Sequence, residues 1–217
     1  MIQSDNRQRF TILLGGPLTP TVRLLAQVAG SRAIAADGGM VHAAALGLDV
    51  ELWVGDFDSA SPGLQAAYPA APRQVHPTDK AMTDGEIAVE AAITRGGREL
   101  VLAGGLGGQT DHALGHLALL LALSRRGLEA FATSGQEEAY PLTGGPLRLQ
   151  LAAGSRLSVI AFSDLVGLTI AGVRWPLEAA DIGVGSTLTL SNVATGDVRL
   201  ELRSGRAIVT ACPGSTP

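Results

Sequence analysis

The chain has 217 residues, 46% hydrophobic and 17% charged, with a formal net charge of −4; a chain that long and that apolar has a packed core in one large or two small domains, which excludes intrinsic disorder. No basic run or stripe is present, so nucleic acid is not expected as a partner. Cys212 stands alone, Phe10 to Leu14 is too short for a signal-peptide core, and no apolar run nears the ~20 residues of a membrane span, so a soluble, cytoplasmic protein is expected.

Phe10 to Leu14 reads as a buried strand that ends in Gly15-Gly16-Pro17. Thr21 to Ala29 is mildly helical. Ala33 to Ala36 is a second strand, running into Asp37-Gly38-Gly39, and Met40 to Leu46 reads as a helix with Gly47 as its C-cap. Leu52 to Val54 leads into Gly55-Asp56-Phe57-Asp58-Ser59. Arg73 to His76 is a brief strand before Pro77. Thr83 followed by Glu86 predicts a capping box, with Ile87, Ala88, Ala91 and Ala92 on the apolar face of the helix that follows. Leu100 to Ala103 is a strand that ends in a glycine run, Gly104 to Gly108. A second helix is expected from Asp111, with Thr110 before it, and Leu128 to Ala132 closes the alternation.

Strands alternating with helices predict an α/β domain with a mostly parallel sheet, whose ligands sit beyond the carboxyl ends of the strands. After Ser134 the period changes to two. Leu147 to Leu151, Leu157 to Val159, Leu168 to Ile170, Thr187 to Leu190 and Val198 to Leu202 are separated by glycine turns. This pattern predicts an antiparallel β-sandwich without helices. The expected division is an α/β domain over 1–135 and a β-sandwich over 136–217.

The chemistry concentrates at the strand ends. Alternate side chains of an extended segment point the same way, so Asp56 and Asp58 converge on one point. Paired carboxylates repel each other, and a hard divalent cation such as Mg²⁺ relieves the repulsion while taking phosphate oxygens as further ligands. Asp84 and Asp111 stand at helix starts, where the dipole is positive, and with Asp37 they suit a metal–polyphosphate complex. The glycines allow close backbone approach to phosphate. No Gly-Lys-Ser/Thr occurs, so this is not a Walker A loop, and no third glycine completes a dinucleotide fingerprint. His112 and His116 have zinc-ligand spacing but lack supporting ligands.

These residues resemble the thiamine pyrophosphokinase family: Ala36-Asp37-Gly38-Gly39, Gly55-Asp56-Phe57-Asp58-Ser59, Thr83-Asp84-x-Glu86, Gly107-Gly108-x-x-Asp111-His112 and Ser191-Asn192 match its motifs in order and spacing. The resemblance implies Mg²⁺-dependent transfer of the pyrophosphoryl group of ATP to thiamine, leaving AMP. It implies Asp56, Asp58 and Asp84 as metal ligands and, with Asp111, as catalytic residues. Gly15, Gly16, Asp37, Gly38, Gly39, Lys80, Gly107, Gly108, Gln109 and His112 are then expected around the nucleotide. Ser191, Asn192 and Trp175 are expected to hold thiamine, Trp175 being equally plausible as a core residue. A homodimer is implied, with thiamine between the α/β domain of one subunit and the β-sandwich of the other.

The chain departs from the family pattern at three places. Ala81 replaces an acidic residue, for which Asp79 is a possible substitute; Gln109 replaces an arginine; His116 replaces an asparagine. A weakened paralogue that binds thiamine or nucleotide without efficient turnover is the alternative these departures raise. A phosphatase with Asp56 as nucleophile is a third reading, disfavoured because Lys80 is the only lysine.

Overall fold

Short aliphatic runs closed by glycine or aspartate build the central strands of the first sheet. The computed structural model describes residues 8–77 and 81–214. Strands β1 (Arg9–Leu13), β2 (Arg32–Ala36), β3 (Val50–Gly55), β4 (Arg73–Val75), β5 (Glu99–Ala103) and β6 (Glu129–Thr133) lie in the order β6-β5-β1-β2-β3-β4. All of these pairings are parallel. Strand order reverses between β1 and β5, the position where parallel sheets open a crevice at their carboxyl ends.

Burial on both faces explains the unbroken apolar strands: Phe10, Ile12, Leu13, Ile34, Trp53 and Leu102 are all fully buried. Trp53 meets Phe57 edge-on, with ring centroids 5.0 Å apart, and the Arg73 guanidinium lies 4.8 Å from its ring centroid.

Helix starts follow local capping. Thr21 caps α1 (Val22–Val28) by accepting from the Leu24 amide. Thr83 caps α4 (Asp84–Thr94) by accepting from the Glu86 amide at 3.2 Å, the N-cap half of the expected capping box. The helix expected over Met40 to Leu46 is instead a 3₁₀ turn, Asp37–His42, running into α2 (Ala43–Leu46). Gly47 closes it at φ 63, as expected of a C-cap. An unpredicted helix, α3 (Pro62–Ala67), is started by Ser61 and buries no residue, so it leaves no apolar period to read. Helix α5 (Thr110–Arg125) takes in Thr110, so Asp111 is its second residue, one later than expected.

One compact unit takes in residues up to His116 together with Leu128–Gly135; the other takes in Leu117–Gly127 and the chain from Gln136 onward. In the second unit β7 (Glu138–Leu142), β8 (Gly145–Leu149), β9 (Arg156–Ala161), β10 (Leu165–Val173), β11 (Leu177–Ile182), β12 (Asn192–Leu202) and β13 (Ala207–Cys212) follow in chain order. Their pairings are antiparallel, as expected. Strand β12 is shared: Asn192 and Val193 pair with β9, Ala194 and Arg199 to Glu201 with β10, and Val198 to Leu202 with β8. Leu157, Val159, Leu168, Ile170, Leu200 and Val209 belong to one core there.

Thr187 to Leu190, expected as a strand, is irregular. The Thr189 hydroxyl donates to the Val159 carbonyl at 2.6 Å, and the Val159 amide donates to the Thr189 carbonyl at 3.0 Å. A side chain thus takes a bond that a strand amide would make. No helix among the described residues is long and apolar enough to cross a membrane.

Candidate active site

Four strand ends of the first unit open onto one cavity of about 850 Å³. Gly15 and Gly16 after β1, Asp37 and Gly38 after β2, Asp56 and Asp58 after β3, and Gly104, Gly107 and Gly108 after β5 all line it. Asp84 at the start of α4 and Gln109, His112 and His116 around the start of α5 complete the wall.

Carboxylate oxygens of Asp37, Asp56 and Asp58 lie within 4.8 Å of one another. Asp84 lines the same cavity but stands outside that group. Asp37 is held in the left-handed region at φ 43, a conformation costing ~1–3 kcal/mol for a residue with a side chain. Three bonds hold it there. The Trp53 indole N–H donates to its carbonyl at 2.8 Å. Ser59 Oγ donates to Asp37 Oδ2 through a short hydrogen bond and accepts from the Gly38 amide. The other carboxylate oxygen, Asp37 Oδ1, is buried without a partner. Phe57, between the two clustered aspartates, also has a positive φ, 65. Asp56 Oδ1 accepts from the Asp58 amide at 3.2 Å, which turns the Asp-x-Asp loop back on itself.

Crowding of like charge has the expected consequence. The Asp56 carboxylate above all, then desolvation and the Asp37 charge, hold the Asp58 carboxyl above the ordinary carboxylate range. A buried orphan oxygen beside an all-carboxylate donor set fits a hard divalent cation.

The glycine turns are fixed by close approach. A Cβ on Gly16 would collide with the Gly104 carbonyl, and one on Gly104, at φ 79, with the Leu14 carbonyl. The Leu14 amide donates to the Ala103 carbonyl at 2.8 Å, which ties the two turns at their roots. Histidines reach both turns: His42 Nε2 bonds the Gly16 carbonyl at 3.0 Å, and His116 Nδ1 bonds the Gly105 carbonyl at 2.9 Å. Burial first, then the neighbouring His112, push the His116 imidazole below its ordinary pKa, against the pull of the Gly105 carbonyl.

Not every expected residue lies here. Gly39 is buried, and a Cβ on it would strike the Leu13 carbonyl, so it serves packing. Asp111 is exposed and its Oδ1 accepts from the His112 amide. Lys80 and Asp79 fall outside the described residues. Ser59, Trp53 and His42 were not singled out from sequence. Only the serine, inside its motif, carried a signal.

In the second unit Trp175 is 55% exposed, which rules out the core reading. Its amide donates to Asn192 Oδ1, and Asn192 Nδ2 donates to its carbonyl at 2.8 Å. Asn192, 7% exposed, therefore braces the tryptophan with the amide that was expected to face a ligand. The Arg174 guanidinium stacks 5.0 Å from the Trp175 ring centroid. Ser191 is exposed at φ 59, its amide donating to Ser158 Oγ.

Comparison with known proteins gives consistent matches. Residues 26–132 match the model of the thiamin pyrophosphokinase catalytic domain, and residues 146–207 that of the thiamin pyrophosphokinase vitamin B1 binding domain. Thiamine pyrophosphokinase of Bacillus subtilis (strain 168) is 30% identical over 144 residues, 64% of this chain and 66% of that protein. The crystal structure of thiamine pyrophosphokinase from Bacillus subtilis has a TM-score of 0.82 at 25% identity, covering 95% of this chain and 100% of that one. Thiamin pyrophosphokinase from Geobacillus thermodenitrificans has a TM-score of 0.80 at 26% identity, covering 95% and 98%. The Candida albicans enzyme, at 12% identity and a TM-score of 0.80 over 95% of this chain and 89% of that one, shares the fold.

Proposed function

Since the chain belongs to the thiamin pyrophosphokinase family and is an enzyme of the thiamine diphosphokinase class, we propose that it transfers the pyrophosphoryl group of ATP to the hydroxyl of thiamine. The observation that carries this reading is the orphaned Asp37 Oδ1 among three carboxylates, facing glycine turns across one cavity.

The thiamine hydroxyl oxygen forms the new bond to the β-phosphorus, and the oxygen bridging the α- and β-phosphates leaves with AMP. Asp56 and Asp58 would hold Mg²⁺ together with Asp84, with Asp37 beside them. When bound, the cation offsets the charge that develops on the phosphate oxygens. The turns at Gly15-Gly16 and Gly107-Gly108 present backbone N–H groups to the phosphates, the Gly104 and Gly105 amides being taken by the Thr133 and Leu102 carbonyls, and the positive end of α4 adds to their hold. Gln109 supplies a neutral polar contact where an arginine would supply charge, with His112 lining the cavity beside it. The exposed Trp175 ring suits a flat ring of the ligand, and the exposed Ser191 precedes the Asn192 that braces this tryptophan. The proposal includes a cytoplasmic homodimer in which the second unit of one copy serves the α/β unit of the other.

Incubation with ATP, Mg²⁺ and thiamine should give AMP and thiamine diphosphate in equal amounts. Formation of ADP with thiamine monophosphate, or no thiamine-dependent AMP, would overturn the reading.

A further inference from the structure

We propose that His42 and His116 are a pair of positioning residues that hold the two glycine turns in the shape that receives the triphosphate. The inference rests on the reading of the cavity as a nucleotide site.

A carbonyl oxygen only accepts, so each bonding ring nitrogen must carry the proton. That assigns Nε2–H to His42, bonded to Gly16 O, and Nδ1–H to His116, bonded to Gly105 O. The turns belong to neighbouring strands and lean on each other, Gly16 against the Gly104 carbonyl and Gly104 against the Leu14 carbonyl. A rotation of either peptide therefore disturbs both. An anionic triphosphate is drawn to backbone N–H groups and repelled by a carbonyl turned toward it. With their carbonyls bonded to imidazole, the Gly16 and Gly105 peptides are fixed in one orientation.

The two donors come from different elements. His42 ends the 3₁₀ turn that begins at Asp37, so one short element carries a carboxylate of the cluster at its first residue and secures the Gly15-Gly16 turn at its last. His116 lies on α5, within the same helix as the cavity-lining His112, and secures the turn after β5.

The test pairs removal of each donor with its replacement. His42→Leu and His116→Leu delete the N–H; His42→Gln and His116→Asn keep an amide N–H near the position of the bonding nitrogen. Affinity for a non-hydrolysable ATP analogue with Mg²⁺ is measured by calorimetry, and KM is measured separately for ATP and thiamine. A lost hydrogen bond of ~1 kcal/mol predicts about fivefold weaker analogue binding and a matching rise in the ATP KM, with the thiamine KM unchanged. The amide variants should recover to within about twofold. Folded leucine variants that bind the analogue like the wild type would overturn the proposal, as would equal rises in both KM values that the amide variants do not relieve. Ring ¹⁵N shifts of the wild-type protein test it without any variant: protonated Nε2 at His42 and Nδ1 at His116 support it, and the opposite tautomer at either overturns it. Wild-type protein that binds no analogue, with both tautomers as assigned, would sink the nucleotide reading and this proposal with it.

Discussion

Asp58 and His116 carry charge effects of opposite kind, and each sets a testable pH or charge dependence. Asp58 pays for its neighbours: its carboxyl is pushed up chiefly by Asp56, so in the metal-free protein its ionised form is disfavoured relative to the unfolded chain. Asp58→Asn should raise the melting temperature of the metal-free protein at pH 7 while abolishing Mg²⁺-dependent turnover, as thermal melts and an AMP assay would show. For His116 the folded pKa lies below the unfolded one, so unfolding takes up a proton between the two. Its contribution is whole above the unfolded value and is lost as pH falls through that window. Acidification from pH 7.5 should therefore destabilise the wild type more than His116→Asn, as denaturation midpoints measured across that range would show. The aspartates were legible in sequence because Asp-x-Asp spacing at a strand end keeps two carboxylates close, but a left-handed turn at Phe57, not the extended alternation expected, brings them together. The clamp on Asp37 was not, since Trp53 and Ser59 reach it only through the tertiary fold.

Capped helices and glycine turns set the geometry of the cavity wall. Thr83→Ala removes the side-chain acceptor of the Glu86 amide and should lower stability by about 1 kcal/mol in urea unfolding. Gly16→Ala should do more harm to function than to the fold, because the added methyl meets the Gly104 carbonyl inside the site. Displacing phosphate-binding backbone by about an ångström predicts a loss of about a hundredfold in kcat/KM. In the second unit Asn192→Ala leaves the Trp175 carbonyl and amide without their partner and should destabilise by about 1–3 kcal/mol in the same assay. Elements with a clear apolar period, such as α4 and the parallel strands, were readable. Helix α3 was not, for it buries nothing. Strands β7 and β11 escaped because Glu138-Ala-Tyr-Pro-Leu142 and Leu177-Glu-Ala-Ala-Asp-Ile182 lack clean alternation.

At the scale of the molecule, the change of texture near Ser134 was visible because side-chain period reports strand environment directly. The grouping of Leu117–Gly127 with the second unit had no local signal, since one helix runs through residues assigned to both. Ligand linkage tests the first unit as a whole. A Mg²⁺–ATP analogue at a hundred times its dissociation constant should stabilise the wild type by about 2.7 kcal/mol, and Asp56→Asn should abolish that shift. In the second unit β12 bonds to β9 through Asn192 and Val193, to β10 through Ala194 and Arg199 to Glu201, and to β8 through Val198 to Leu202. One backbone segment is therefore a common hinge pin for strands that would otherwise open independently. Amide protons across β8, β9 and β10 should exchange with deuterium through a single shared opening event, rather than in separate slow and fast classes.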